Sequence, residues 1–237
     1  MKSILKRILK NKKKPLLAIL IDPEKFNPEV VIQSNNIADF YLIGGSSLEK
    51  GQLPKCLGKI KKMTQLPIII FPGDTNQLDN RADATLLLSL ISGNNSDYLI
   101  GKHIDAAYKL KALKHEVIPT GYLLIDGGNI STTQRVTKTS PISKNNLNLI
   151  KRTVIAGELL GLKMIYLEAG SGAKTSLNNN IVKAVKSVTS LPVWVGGGIN
   201  SVDKYLKLKS SGADVIVIGN ALEKNLSLID DLKRTLQ

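Results

Sequence analysis

Short apolar runs alternate with amphipathic stretches along most of the chain. Residues 16–21 form an unbroken apolar run that ends at Asp22-Pro23, the pattern of a strand buried on both faces and stopped by proline. Comparable runs lie at 39–43, 67–71, 84–88, 117–125, 163–172, 191–199 and 213–220. Between them the apolar positions fall at helical spacing. Val31 and Ile32 begin one such face after Pro28, residues 54–63 and 104–114 carry two more, and Leu147, Ile150, Val154 and Leu160 mark a helix over 145–160 with Gly161 as its cap. Ile181, Val182, Val185 and Val188 mark the next, and helices beginning near Ser201 and Ala221 follow the last two strands. Eight strands of parallel-sheet character with helices between them predict one domain over 1–237, a (β/α)8 TIM barrel. An open doubly wound sheet is the competing topology. Only about a dozen residues separate strands three and four, too few for a full crossover helix, so the helix there is expected to be missing or replaced.

The last third of the chain carries a repeated device. KMIYLEAGSG at 163–172, LPVWVGGGI at 191–199 and ADVIVIGN at 213–220 each run an apolar strand into glycine. Glycine lets backbone N–H groups approach an anion, and a helix start behind it adds the positive end of its dipole. Loops after the late strands of such a barrel are a usual phosphate site. Residues 126–146, DGGNISTTQRVTKTSPISKNN, form the longest polar segment and are expected to be a mobile flap on the same face.

Charge adds a second feature. The net charge is +14, and seven of those units come from Lys2, Lys6, Arg7, Lys10, Lys12, Lys13 and Lys14. Ile4, Leu5, Ile8 and Leu9 share one helical face among them, so 1–14 is expected to be a basic helix. It either lies on an anionic surface, giving peripheral contact at the inner membrane face, or closes the barrel bottom as a solvated helix. An aromatic content of 4% and the lack of a recognition motif argue against nucleic acid. The single cysteine, Cys56, has no internal partner, and no apolar run nears the ~20 residues that span a bilayer, so a cytoplasmic enzyme is expected.

Individual residues have two readings each. Asp22 closes strand one at the catalytic face, where its carboxylate suits Mg2+, yet aspartate before proline also starts turns. Ser46 supplies a second oxygen or caps a helix. Glu168 ends an apolar strand, and a carboxylate buried there needs a ligand hydroxyl, a cation or a proton to compensate it. His103 and His115 lack companions at metal spacing and are expected to be structural, Trp194 to be core, and Asp126 is ambiguous. GSGAKT at 170–175 is not a nucleotide P-loop, since Ala173 precedes the lysine where glycine is required. Dinucleotide and α/β-hydrolase signatures are absent from the sequence.

LIDPEK at 20–25, IGGSS at 43–47, FPG at 71–73, GYLLIDGG at 121–128, YLEAGSG at 166–172, VGGGI at 195–199 and IGNALE at 218–223 together resemble the geranylgeranylglyceryl phosphate synthase family. The resemblance runs from about residue 16 to the end, and YLEAGSG is its most specific part. It implies a Mg2+-dependent prenyltransferase that joins sn-glycerol 1-phosphate to geranylgeranyl or a similar polyprenyl diphosphate, working as a homo-oligomer. By the same resemblance Asp22 and Ser46 would hold Mg2+, and Tyr166, Leu167, Glu168, Ala169, Gly170, Ser171, Gly172, Gly197, Gly198, Gly219 and Asn220 would contact the glycerol phosphate. Leu20 stands where some bacterial relatives carry lysine. The residues themselves suit this chemistry, because Glu168 can orient or deprotonate an attacking hydroxyl. Tyr98, Leu99, Ile100 and Tyr122 are candidates to line a groove for the tail. An isomerase or lyase acting on a sugar or indole phosphate is the alternative, and would use the same glycine turns. A non-catalytic membrane or nucleic-acid binder would leave those turns unexplained.

Overall fold

The computed structural model describes residues 3–11, 15–46 and 48–236. Lys2, Lys12, Lys13 and Lys14 of the basic stretch, with Ser47, lie outside the described residues. Eight parallel strands close in chain order into a barrel, β1 (Leu16–Ile21) pairing with both β2 (Phe40–Ile43) and β8 (Val215–Ile218). The others are β3 (Ile68–Ile70), β4 (Ala84–Leu90), β5 (Glu116–Leu124), β6 (Met164–Glu168) and β7 (Val193–Gly196). Closure removes every sheet edge and disposes of the doubly wound alternative.

Side chains alternate across each strand and divide the core in two. Leu16, Ala18, Met164, Tyr166, Trp194 and Val217 point into the barrel, while Leu17, Ile19, Ile165, Leu167, Val195 and Ile218 meet the helices outside. That outer layer is built from α2 (Pro28–Ser34), α3 (Gln52–Ile60), α4 (Lys102–Lys111), α6 (Leu147–Leu159), α7 (Asn179–Lys186) and α8 (Val202–Ser210). The start signals are local: Asn27, Asn146, Asn178 and Ser201 each accept a backbone N–H from the first turn of the helix they precede. Gly161 follows α6 at φ +86°. After β8 the expected single helix is two, α9 (Asn220–Lys224) and α10 (Ser227–Leu236).

Two connections depart from a regular barrel and shape its upper end. Residues 71–83 join β3 to β4 through turns and bends with no helical residue. A π-helical turn, Asp97–Gly101, leads into α4, which therefore starts earlier than the apolar spacing suggests. The polar segment expected to be a flap contains a short helix, α5 (Thr132–Thr137), capped by the buried Ser131, and Ile142 bridges back to Ile125 at the end of β5.

At the lower end α1 (Ile4–Lys10) lies across the barrel mouth, with Ile4 and Ile8 buried among the inward residues of the strands. Leu9, on the face expected to be apolar, is 51% exposed. Glu116 at the start of β5 accepts from Ser3 Oγ and Ile4 N, both at 2.7 Å, and from Leu5 N at 3.3 Å. A carboxylate on the first free N–H groups of a helix satisfies them and complements its dipole. Of the two roles open to the basic helix, closing the barrel bottom is the one its buried face serves.

Candidate active site

One cavity of about 350 Å³ opens at the C-terminal end of the barrel. Asp22, Ser46, Asp74, Glu168, Gly197, Gly198, Gly219 and Asn220, from the ends of six different strands, line it together. Its floor is aromatic. Trp194 stacks on Phe40 with ring centroids 5.3 Å apart, and Tyr166 stacks on Tyr122 at 5.5 Å and meets the Phe71 ring at a tilt at 5.1 Å. Trp194 is fully buried and is core, as its place inside strand seven predicts.

Glu168 points inward because it is two residues beyond Tyr166 on β6. It is 7% exposed, and burial pushes its carboxyl up to about 7, against the lowering effects of the Gly170 N–H, which donates to Oε1 at 2.7 Å, and of the neighbouring Tyr166 hydroxyl. The Tyr166 hydroxyl itself has no partner of good hydrogen-bond geometry. A buried carboxylate that titrates near neutrality beside an open cavity is suited to take a proton from a bound hydroxyl.

The glycine turns surround that carboxylate. Gly197 has φ +86°, and a Cβ on it would overlap Glu168 Oε1; Gly198 has φ +68°, with Ser176 N only 2.9 Å from where its Cβ would stand. Neither position tolerates a side chain. Asn220 at the start of α9 donates from Nδ2 to Ser171 Oγ at 3.0 Å, drawing the β6 and β8 turns together. The three late turns thus share one wall of the cavity, with Ser171, Gly172, Gly197, Gly198, Gly219 and Asn220 all on it.

Beside this wall, at the end of β1, which pairs with β8, stands Asp22. Its Oδ1 accepts from Glu24 N at 3.0 Å, and its Oδ2 lies 3.7 Å from Lys25 Nζ, which is also 3.7 Å from Glu223 Oε2. Burial raises the Glu223 carboxyl above its ordinary range, with Lys25 opposing and Asp22 reinforcing the rise. The donor set fits Mg2+ in one way. Among the described residues no three His, Cys, Asp or Glu side chains could hold a metal together, but Asp22 and Ser46 offer hard oxygens to the same cavity. Mg2+ commonly binds through one or two carboxylates and completes its shell with water and substrate phosphates.

The cavity continues sideways as an apolar arm. Leu78, Leu86, Leu88, Ala106 and Leu110 line it where no helix covers the β3–β4 connection, and Tyr98 and Val136 form its rim. Of the candidates for a tail groove, Tyr98 and Tyr122 line the cavity, whereas Leu99 and Ile100 do not. Where the arm meets the polar half, Lys102 Nζ is 2.7 Å from Asp74 Oδ1 and 5.1 Å from the Tyr98 ring centroid.

Three of the expected contact residues are turned elsewhere. Leu167 and Ala169 belong to the outer core, because the alternation that aims Tyr166 and Glu168 inward aims them outward. Gly170 does not line the cavity and spends its N–H on Glu168. Asp126 accepts from Gly128 N in a local turn. His115 is buried against Thr85 Oγ1, and His103, although it lines the cavity, has Nε2 2.9 Å from the Leu88 carbonyl. Sequence reasoning missed Asp74, Lys102, Glu223 and Lys224 as lining residues. Asp74 directly follows Phe71-Pro72-Gly73, so its place just past strand three was a usable signal.

The chain is similar to known proteins along nearly its whole length. A sequence model of the PcrB family matches residues 6–236. The chain is 45% identical to the geranylgeranylglyceryl phosphate synthase of Zunongwangia profunda over 94% of its own length and 98% of that protein's. The Pyrococcus horikoshii protein of the same name is 36% identical, over 95% and 90% respectively. Among solved structures, (S)-3-O-geranylgeranylglyceryl phosphate synthase from Thermoplasma acidophilum in complex with its substrate sn-glycerol-1-phosphate superposes with a TM-score of 0.91 at 31% identity, covering 100% of this chain and 98% of that one. The chain belongs to the PcrB family, the geranylgeranylglyceryl phosphate synthase family that its motifs resemble.

Proposed function

We propose that this prenyltransferase joins the C3 hydroxyl of sn-glycerol 1-phosphate to C1 of geranylgeranyl diphosphate or a similar long prenyl diphosphate. The observation that carries the reading is the single cavity in which a buried, near-neutral carboxylate, Glu168, lies between a wall of glycine turns and an apolar arm. The phosphate of the glycerol substrate sits against Ser171, Gly172, Gly197, Gly198, Gly219 and Asn220, whose backbone and side-chain donors suit an anion. That leaves its hydroxyl beside Glu168. The prenyl chain occupies the arm lined by Leu86, Leu88, Ala106 and Leu110. As the hydroxyl oxygen forms the new C–O bond, the bond from C1 to the diphosphate breaks, pyrophosphate leaves with the electron pair, and the hydroxyl proton passes to the Glu168 carboxylate. Asp22 and Ser46 would hold Mg2+, which when bound supplies positive charge to the departing pyrophosphate. The remaining task of the protein is positioning in a site shielded from water.

The test is a direct assay with labelled glycerol phosphate and prenyl diphosphates of increasing length, with and without Mg2+. An ether product that needs both substrates and the cation is expected. Turnover of a sugar or indole phosphate without any prenyl diphosphate would replace this reading with an isomerase or lyase.

A further inference from the structure

The polar half of the cavity needs a cation for the prenyl substrate's diphosphate, and two lysines, Lys102 and Lys224, line the cavity among the described residues. Lys224 ends α9, on the side of the glycerol phosphate turns. Lys102 begins α4 on the other side, at the junction of the polar half and the apolar arm. Its ammonium is tied to the region around Ser46 by a short chain of contacts. Gln77 donates to the Gly45 carbonyl at 2.9 Å and accepts from Gly73 N at 3.0 Å. Gly73 approaches so closely that a Cβ on it would stand 2.8 Å from Ser46 Cα. Asp74, the next residue, accepts from Lys102 Nζ.

Asp74 and Lys102 are 43% and 32% exposed, and the carboxylate raises the lysine above its ordinary range, so the ammonium is charged and reachable from the cavity. An exposed pair of this kind contributes little stability by itself. Asp74 Oδ1 is also held by Thr75 N at 2.8 Å, which anchors the carboxylate while the flexible lysine stem is free to turn.

We propose that Lys102 grips the diphosphate of the prenyl substrate, and that Asp74 positions its ammonium in the free enzyme and competes with that anion for it. The inference rests on the prenyl-transfer reading above and assigns the anion contact on the side away from the glycerol phosphate. Because the two residues act in opposite senses, their variants separate. Lys102→Gln raises both the KM for prenyl diphosphate and the inhibition constant of inorganic pyrophosphate by about tenfold, the loss of one charge-assisted contact, and leaves the KM for glycerol phosphate unchanged. Asp74→Asn keeps the Thr75 contact, frees the ammonium and lowers both constants.

Pyrophosphate inhibition reports the head-group contact without the tail and without turnover. Lys102→Arg, which keeps the charge, recovers part of the loss and guards against a merely misfolded Lys102→Gln. An unchanged pyrophosphate constant in folded Lys102→Gln overturns the proposal. So does a rise in both constants with Asp74→Asn, which would make the pair a structural strap. Should the wild-type protein form no prenyl ether, the functional reading fails by that result alone, and loss of pyrophosphate affinity in Lys102→Gln still upholds the anion contact while its retention overturns it.

Discussion

Carboxylates stand at both ends of this barrel and are used in opposite ways. At the lower end Asp39 accepts from Leu17 N at 2.9 Å, Asp83 from Ile68 N at 2.9 Å and Asp214 from Val193 N at 2.7 Å. Each aspartate precedes an even-numbered strand and pins the start of the odd-numbered strand before it. Glu116 does the same service for α1. At the upper end Asp22, Glu168 and Glu223 make fewer bonds than their oxygens can accept, and Glu168 and Glu223 are held above their ordinary range by burial. A carboxylate whose lone pairs are filled by backbone N–H groups stabilises the fold; one left short of partners is held ready for a ligand. Variants at the upper end are therefore expected to change kinetics, and variants at the lower end stability.

The largest kinetic effect belongs to Glu168. Glu168→Gln keeps its shape and is expected to lower kcat on the order of 10²-fold, the loss of a general base, with the KM for prenyl diphosphate little changed. The wild-type rate should fall as pH drops below about 7, where Glu168 gains its proton, and that limb should vanish in the variant. Stability runs the other way. The folded carboxyl keeps a proton that the unfolded chain releases near 4.5, so wild type loses stability relative to Glu168→Gln as pH rises from there to about 7 and stays level above. The difference is on the order of 3 kcal/mol, measurable as denaturation midpoints at pH 4 and pH 8. A variant less stable than wild type at pH 8 would place Glu168 with the structural carboxylates. Next comes Asp22→Asn, expected to reduce kcat by about tenfold or more through the loss of the charged ligand proposed for Mg2+, while binding of glycerol phosphate, read by calorimetry, survives.

The strands and the catalytic end of the chain were legible in the sequence because their causes are local. An apolar run stopped by Asp22-Pro23, or a strand passing into Gly196-Gly197-Gly198, carries its own instructions. What escaped depends on closure. Asp74 meets Lys102 and Glu116 meets Ile4 only after the barrel brings distant segments together. Leu167 and Ala169 illustrate a different limit. A contiguous motif invites reading as a contiguous surface, but strand alternation sends every second residue to the helices. The early start of α4 was hidden because a π-helical turn does not follow the 3.6-residue spacing used to find helices.

At the lower end Asp214 gives the sharper test. Its Oδ2 serves both Val193 N and Lys186 Nζ, the latter at 2.8 Å, so Asp214→Ala leaves a strand N–H unpaired. The expected cost is about 1–3 kcal/mol, a fall in Tm of roughly 2–4 °C for each kcal/mol in a chain of this length. Both KM values and kcat should be unchanged. A kinetic defect without a stability defect would break the division between the two ends.

The smallest effect is expected at Glu116, and it decides what α1 is for. Glutamine there keeps the volume but offers one acceptor oxygen where the carboxylate offers two to Ser3, Ile4 and Leu5, and it loses the charge that complements the start of the helix. The expected loss is about 1 kcal/mol. Because Ile4 and Ile8 are already inside the barrel mouth, α1 can offer a lipid surface only its basic side and Leu9 unless it first undocks. Glu116→Gln makes undocking easier. With α1 as a barrel plug, amide exchange in residues 4–10 quickens, Tm falls slightly, and association with anionic vesicles does not change from that of wild type. With α1 as a membrane finger, the same variant binds vesicles more strongly, since the released helix regains an apolar face between its lysines. Vesicle sedimentation alongside hydrogen exchange separates these outcomes, and vesicle binding that rises as α1 loosens would overturn the plug.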